Sequence, residues 1–288
     1  MRVIEYKIEE SFDGKKLYSF LKGNAKLSSK LIRSLKRAPD GLQINGEHAR
    51  TIDLLKTGDI VTVTIQDDEK GAKPGTVMPD VVYYDSDILI VNKPPMLPIH
   101  ESHNHQGDTL ANCVALYLEK QGRNVSFRAV GRLDKGTSGL VVCALNPHAA
   151  SRLSGKINKT YIAIAKGEYN GRGTIDAPIY RPDPMKTYRT VDERGDRAVT
   201  HWEALKSNGK LTALRVNLET GRTPQIRVHF ASLGTPLIGD TMYGEPDGRI
   251  AHQALHCAEL ELIHPITEKV IRCSAEMPAE MKNIYDEI

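Results

Sequence analysis

A chain of 288 residues with 40% apolar and 26% charged side chains holds about two globular domains and is neither a disordered polymer nor a fibrous repeat. No run approaches the ~18 apolar residues of a membrane-spanning helix, and the charged stretch from Met1 to Lys16 has no apolar signal core, so a cytoplasmic protein is expected. Cys113, Cys143, Cys257 and Cys273 are scattered without a C-x-x-C pair, which argues against disulfides and a cysteine zinc site, and the net charge of +3 leaves the overall field weak.

The charge is unevenly placed. Between Gly14 and Ala38 stand eight Lys or Arg and no Asp or Glu, a local field that attracts phosphate. Lys16 to Lys22 reads as a short helix carrying Leu17, Phe20 and Leu21 inward. Ser28 or Ser29 can cap a second helix over Lys30 to Arg37. Its apolar residues Leu31, Ile32 and Leu35 would face a core, with Lys30, Arg33 and Arg37 along one outer face. The turn signal Gln43-Ile44-Asn45-Gly46 and the alternating strand Asp59 to Ile65 follow. This segment, residues 1–65, resembles the S-four-like RNA-binding module named after a small-subunit ribosomal protein. The resemblance implies a small α/β domain that meets RNA through Lys26, Lys30, Arg33 and Arg37. A basic helix beside a short hairpin suits A-form RNA, which is read largely through phosphates and shape.

Residues 66–79 run from Asp67-Asp68-Glu69-Lys70-Gly71 to Lys73-Pro74-Gly75 and read as a linker. Residues 80–288 alternate short strands with few helices. Strands are expected over Val81 to Tyr84, Ile88 to Val91, Leu140 to Leu145, Tyr161 to Lys166, Val199 to Leu205, Leu211 to Leu218 and Leu255 to Leu262. Helices are expected over Leu110 to Gln121, His148 to Ser154 and Gln225 to Leu233. Strands this frequent without βαβ alternation predict an α+β fold on a mixed, largely antiparallel sheet. The charged stretch Asp183 to Asp196 is expected to be an extended loop or hairpin near the RNA. His100-x-x-His103-x-His105 has the atoms of a metal site, but it lies in a loop, and no metal is expected there.

Chemistry is concentrated in four segments. Tyr83 to Pro98 reads YYDSDILIVNKPPMLP. Gly131 to Leu140, GRLDKGTSGL, places an Arg and a carboxylate in a small-residue turn that feeds an apolar strand, which can fix a carboxylate firmly. Lys159 to Gly167 reads KTYIAIAKG. Thr220 to His229 reads TGRTPQIRVH and runs on to Leu233-Gly234-Thr235-Pro236 and Gly239-Asp240-Thr241-Met242-Tyr243-Gly244. In this order, after an S-four-like module, the segments closely resemble the RluA-type pseudouridine synthases over nearly the whole chain.

The resemblance implies that residues 80–288 are a catalytic domain of the pseudouridine synthase fold and that the chain is an isomerase acting on uridine within RNA, with no metal or organic cofactor. Asp134 takes the position of the catalytic carboxylate, and whether it attacks the sugar or removes a sugar proton stays open. Breaking a glycosidic bond builds positive charge on the sugar, which a carboxylate can meet in either way. Tyr161 matches the tyrosine that stacks on the uracil and helps move the carbon 5 proton. Arg227 matches the arginine paired with the catalytic Asp. Arg132 matches the position that enters the RNA where the flipped base has left. Arg222 and Gln225 are expected to contact phosphate or, like Thr137 and Ser138, to support the loop. Gly131 and Pro224 depart from the pattern, which often has His at both positions, and Pro224 is expected in the first turn of the helix near Gln225.

Large-subunit ribosomal RNA is the expected partner and transfer RNA the alternative substrate; neither DNA nor a membrane is expected, and a monomer is. A catalytically silent RNA-binding assembly factor is the alternative function, against which the intact Asp134, Tyr161 and Arg227 argue.

Overall fold

The computed structural model describes residues 1–66, 71–102 and 105–288. Asp67-Asp68-Glu69-Lys70 of the expected linker and His103 of the histidine motif lie outside the described residues.

The amino-terminal unit comprises β1 (Arg2–Lys7), α1 (Leu17–Gly23), α2 (Ser29–Leu35), β2 (Leu42–Ile44), β3 (Glu47–His48) and β4 (Ile60–Ile65), with its four strands in the order β1-β4-β2-β3. Its own apolar cluster joins Leu17, Phe20 and Leu21 of α1 to Leu31, Ile32 and Leu35 of α2 and to Val61 and Val63 of β4. Ser28 caps α2, its Oγ accepting from the Leu31 amide at 3.2 Å. The helix stops at Leu35, two residues short of expectation. Pro39 has no N–H to continue the ladder and disfavours helical geometry at Ala38. Arg37 therefore sits in the turn beyond α2 rather than on the helix face with Lys30 and Arg33. β1 was not expected: RVIEYK turns few side chains inward, and of its residues only Ile4 is buried.

The larger unit follows with β5 (Asp80–Tyr84), β6 (Ile88–Lys93), α3 (Leu110–Lys120), β7 (Arg128–Val130), β8 (Ser138–Ala144), α4 (Pro147–Leu153), β9 (Ile157–Lys166), β10 (Arg172–Asp176), β11 (Ile179–Tyr180), β12 (Thr190–Val191), β13 (Val199–Ser207), β14 (Leu211–Leu218), α5 (Gln225–Ser232), β15 (Leu255–Ile263), β16 (Val270–Ser274) and α6 (Ala279–Glu287). Ten strands form one sheet along the path β10-β13-β14-β9-β15-β8-β6-β5, with β16 on β15 and β7 on β8. Among the described residues β8 and β15 are the parallel pair in it, the other pairings being antiparallel, so the fold is α+β with a mixed, largely antiparallel sheet. All seven residues of β8 are buried, as its unbroken apolar run requires. Each expected strand is present, β14 with the expected ends and the others with shifted ones, the largest shift being β9, which begins at Ile157 rather than Tyr161.

One row of the sheet positions the chemistry. Gly139 of β8 lies opposite Cys257 of β15, and Cys257 lies opposite Tyr161 of β9. Gly139 has φ of +103°, and a Cβ there would lie 2.3 Å from the Cys257 carbonyl oxygen. The parallel contact therefore needs glycine at this position.

The two units meet around Asp85, Asp87 and His264. Arg2 of β1 donates from Nε to Asp87 Oδ1 at 3.0 Å, and Asn146 Nδ2 donates to the same oxygen at 2.8 Å. Asp85 Oδ2 accepts from the Tyr83 hydroxyl at 2.7 Å and from His264 Nε2 at 2.9 Å. Ile266 packs on the amino-terminal apolar cluster, while Lys26 and Arg152 both pair with Glu268, at 3.4 and 2.8 Å. Past the undescribed stretch, the Gly75 amide donates to the Asn112 carbonyl at 2.9 Å, so this part of the expected linker lies along α3. Part of the stretch 183–196 turns between β11 and β12, a two-stranded ribbon. Among the described residues no helix is long and apolar enough to cross a membrane.

Candidate active site

The turn between β7 and β8 carries Asp134. It opens at Gly131, whose φ of +68° suits glycine, and the Thr137 amide closes it on the Asp134 carbonyl at 3.1 Å. Lys159 of β9 donates from Nζ to the Gly131 carbonyl. A Cβ at 131 would stand 3.4 Å from that ammonium, so the departure from His is matched by the space available. Thr137 and Ser138 are buried and face the start of β15. Gln253 Nε2 donates to Thr137 Oγ1 at 3.0 Å. His256 donates from Nε2 to the Ala275 carbonyl at 3.0 Å, which leaves Nδ1 to accept from Ser138 Oγ at 2.9 Å. Burial pushes the His256 pKa down, in keeping with that neutral tautomer.

Beneath the turn, the fully buried Lys93 donates from Nζ to the carbonyls of Pro94, Leu97 and Lys135 at 2.9, 3.0 and 2.9 Å. Burial lowers its pKa to about 7 against the opposing pull of Asp134. The three carbonyls take up all three N–H groups of an ammonium, so this side chain ties the residue after Asp134 to the end of β6.

Arg227 reaches the site from α5. Its Nε and Nη2 donate to the two carboxylate oxygens of Asp240 at 2.6 and 2.8 Å, and its Nη1 donates to Asp134 Oδ2 at 3.1 Å. The Tyr243 ring centroid lies 5.2 Å from the guanidinium carbon. The Arg227 side chain is 11% exposed, Asp134 22% and Asp240 0%, so this is no surface arginine. Burial works against the Arg227 cation, but hydrogen bonds and charge from Asp240, and then Asp134, outweigh it and hold its pKa above the ordinary value. Tyr161 is buried on β9. Burial drives its pKa well above the usual phenol value, with Cys257 and Asp134 adding, so it carries its proton at neutral pH.

Asp134, Tyr161 and Arg227 all line one cavity of about 640 Å³, whose wall also includes Arg132, Lys159 and Arg222. Arg222 stands at the rim, 3.5 Å from Asp196 in an exposed ion pair. Gln225 differs from expectation as an RNA contact. It is 2% exposed, its Oε1 accepts from Thr220 Oγ1 and the Arg222 amide, and its Nε2 donates to the Val199 carbonyl and Thr200 Oγ1. An amide with its hydrogen bonds so taken up braces the turn before α5 and has nothing left for phosphate. Pro224 likewise sits one residue ahead of α5, at the cap position rather than in the first turn. Lys26, Lys30, Arg33 and Arg37 belong to the other unit and are not part of the cavity wall; Lys26 is engaged by Glu268. His100 stacks on Phe127, and His105 lies between Asp108 and the Lys135 ammonium, so neither is arranged toward a shared ion.

Asp240 and Lys93 were given no role from sequence. Both stand in the quoted segments, but nothing local marks either: Asp240 is 13 positions from Arg227, and Lys93 is 42 from Lys135, whose carbonyl ties it to the turn.

Residues 87–232 match the RNA pseudouridylate synthase family. The chain is 38% identical to the uncharacterized RNA pseudouridine synthase YhcT of Bacillus subtilis (strain 168), covering 98% of this chain and 96% of that protein. It is 34% identical to the ribosomal large subunit pseudouridine synthase D of Escherichia coli (strain K12), over 80% of this chain and 76% of that protein. Among solved structures, human RNA pseudouridylate synthase domain containing 1 superposes with a TM-score of 0.59 at 26% identity, over 72% of this chain and 86% of that one. Sequence, sheet and relatives agree, and the chain belongs to the RluA-type RNA pseudouridine synthases, isomerases that act on uridine within RNA.

Proposed function

We propose that the substrate is large-subunit ribosomal RNA and that the cavity around Asp134 receives a uridine flipped out of it. The observation that carries this reading is the convergence of Asp134, Tyr161 and Arg227 on one cavity large enough for a nucleotide. Asp134 acts at the sugar as the bond from C1′ to uracil N1 breaks, by attack or by taking a sugar proton. The uracil then turns and its carbon 5 joins C1′. Tyr161 lies against the base as a neutral phenol and helps move the carbon 5 proton. Arg132 fills the gap left in the RNA, since a planar cation stacks where the base had been. Thr137 and Ser138, tied to Gln253 and His256, keep the turn in place.

Residues 1–65 serve as an S-four-like RNA-binding domain through Lys30 and Arg33 of α2 and the neighbouring Arg37, residues 66–79 as its linker, and residues 80–288 as the catalytic domain of a cytoplasmic monomer. The Escherichia coli relative named for the large ribosomal subunit supports the choice of RNA. The test is direct: unmodified large-subunit ribosomal RNA and unmodified transfer RNA, both transcribed in vitro, are incubated with the protein and their pseudouridines mapped. Conversion of discrete uridines in the ribosomal RNA is expected. Conversion confined to transfer RNA would replace the substrate, and none in either would leave the reading without support.

A further inference from the structure

We infer that Asp240 is a positioning residue of the isomerisation: a fixed counter-charge to Arg227 that lets Asp134 give up its own charge. This rests on the role proposed above for Asp134. Asp240 has no exposed side-chain surface, and both of its oxygens hold Arg227, through Nε and Nη2. Its Oδ1 also accepts from the amides of Met242 and Tyr243 at 3.1 and 3.2 Å, so the turn itself locks the carboxylate in place. Among the described residues Asp134 receives a single N–H, from Nη1. Two carboxylates thus share one guanidinium, and the trio carries one net negative charge.

That surplus is what the chemistry consumes. If Asp134 attacks, one of its oxygens bonds to C1′ while the C1′–N1 electron pair leaves with the uracil. If Asp134 acts as a base, it takes a proton from C2′, the C–H pair forms a C1′–C2′ double bond, and the C1′–N1 pair again leaves with the uracil. Either way one negative charge passes from Asp134 to the departing base. Were Asp134 the sole partner of Arg227, the step would strand a buried cation, a costly state. With Asp240 in place, a neutral bidentate pair remains. Removing the Asp240 charge turns the whole guanidinium onto Asp134 and binds the group that must react.

The experiment compares the wild-type protein with Asp240→Asn, Arg227→Met and the double variant, on in vitro transcribed large-subunit ribosomal RNA. Asp240→Asn is expected to lower kcat about 100-fold, the scale of removing one electrostatic partner from an active site, with KM within about twofold because free RNA never touches Asp240. The double variant is expected to be no slower than Arg227→Met, since Asp240 acts through that arginine. If Asp240→Asn does not fold, Asp240→Glu, which keeps the charge, is expected to retain most of kcat, and the double variant still gives its comparison. A kcat for Asp240→Asn equal to or above wild type, a loss confined to KM, or a double variant slower than Arg227→Met would overturn the inference. A wild-type protein that converts no uridine in this RNA would instead overturn the substrate reading on which it stands.

Discussion

Arg227 has 11% of its side chain exposed and two acids to satisfy, so its removal is felt by more than the reaction. Arg227→Ala would leave Asp240 buried without its partner. A loss of about 3–5 kcal/mol of stability is expected, the range for breaking a buried pair from one side, read as a lowered Tm and denaturation midpoint. Asp134→Ala should behave differently. It removes a carboxylate that receives one N–H at the cavity wall, so the fold and RNA binding should survive while pseudouridine formation is abolished; substantial turnover would remove Asp134 from its proposed role. That Asp134, Tyr161 and Arg227 gather at one cavity was legible in the sequence because each sits in a segment whose residue types and order are distinctive. Asp240 was not. A one-dimensional reading shows many acids, and only the fold says which one lies against a given guanidinium. For Gln225 the sequence leaves bracing the turn and meeting phosphate both open for the same reason: only the fold shows its four hydrogen bonds taken up within the protein.

Among the elements, legibility tracked how one-sided the burial is. β8, an apolar run buried throughout, and β14, whose buried apolar residues are broken by exposed Arg215 and Asn217, have patterns strong enough to read, the first nearly in full and the second in full. β10, RGTID, and β16, VIRCS, lie at the margins of the sheet with mostly exposed side chains, and their residue types do not mirror the alternation of their burial. α6 hides behind two buried residues, Met281 and Ile284, too few to mark a helix. The parallel contact between β8 and β15 could not be read at all, because 118 residues separate Ser138 from His256. Its requirement is local and severe. Gly139→Ala would force a Cβ onto the Cys257 main chain at a positive φ. A loss of about 3 kcal/mol or more is expected, checked by Tm, together with weakened activity, because the strand behind the Asp134 turn would have to shift.

At the scale of the molecule, the two units are joined by charge as well as by chain, through Arg2 on Asp87 and Lys26 on Glu268, and Asp85 braces the larger unit's side of that junction. Asp85 accepts from the Asp87 and Ile88 amides as well as from Tyr83 and His264. Burial alone would raise its pKa, but those hydrogen bonds and the His264 charge hold it below the ordinary value. A carboxyl that is more acidic folded than unfolded contributes stability that is complete above its unfolded pKa of about 4 and is lost as pH falls through the folded value. Asp85→Asn should therefore flatten the decline of Tm below about pH 4, and an unaltered slope would show that Asp85 carries none of it. Deleting residues 1–65 should weaken RNA binding and reduce the dependence of affinity on salt, because fewer phosphates are neutralised, while the larger unit keeps its own apolar core; equal salt slopes would mean that Lys30, Arg33 and Arg37 do not meet phosphate. The junction through Arg2, Asp87 and Ile266 also has a geometric consequence. A basic helix docked this way stands at a set span from the cavity, like the second jaw of a caliper. If Lys30 and Arg33 meet RNA as proposed, an RNA is chosen by the separation between a helical stem and an extractable uridine, and a base of the right kind at the wrong separation is passed over.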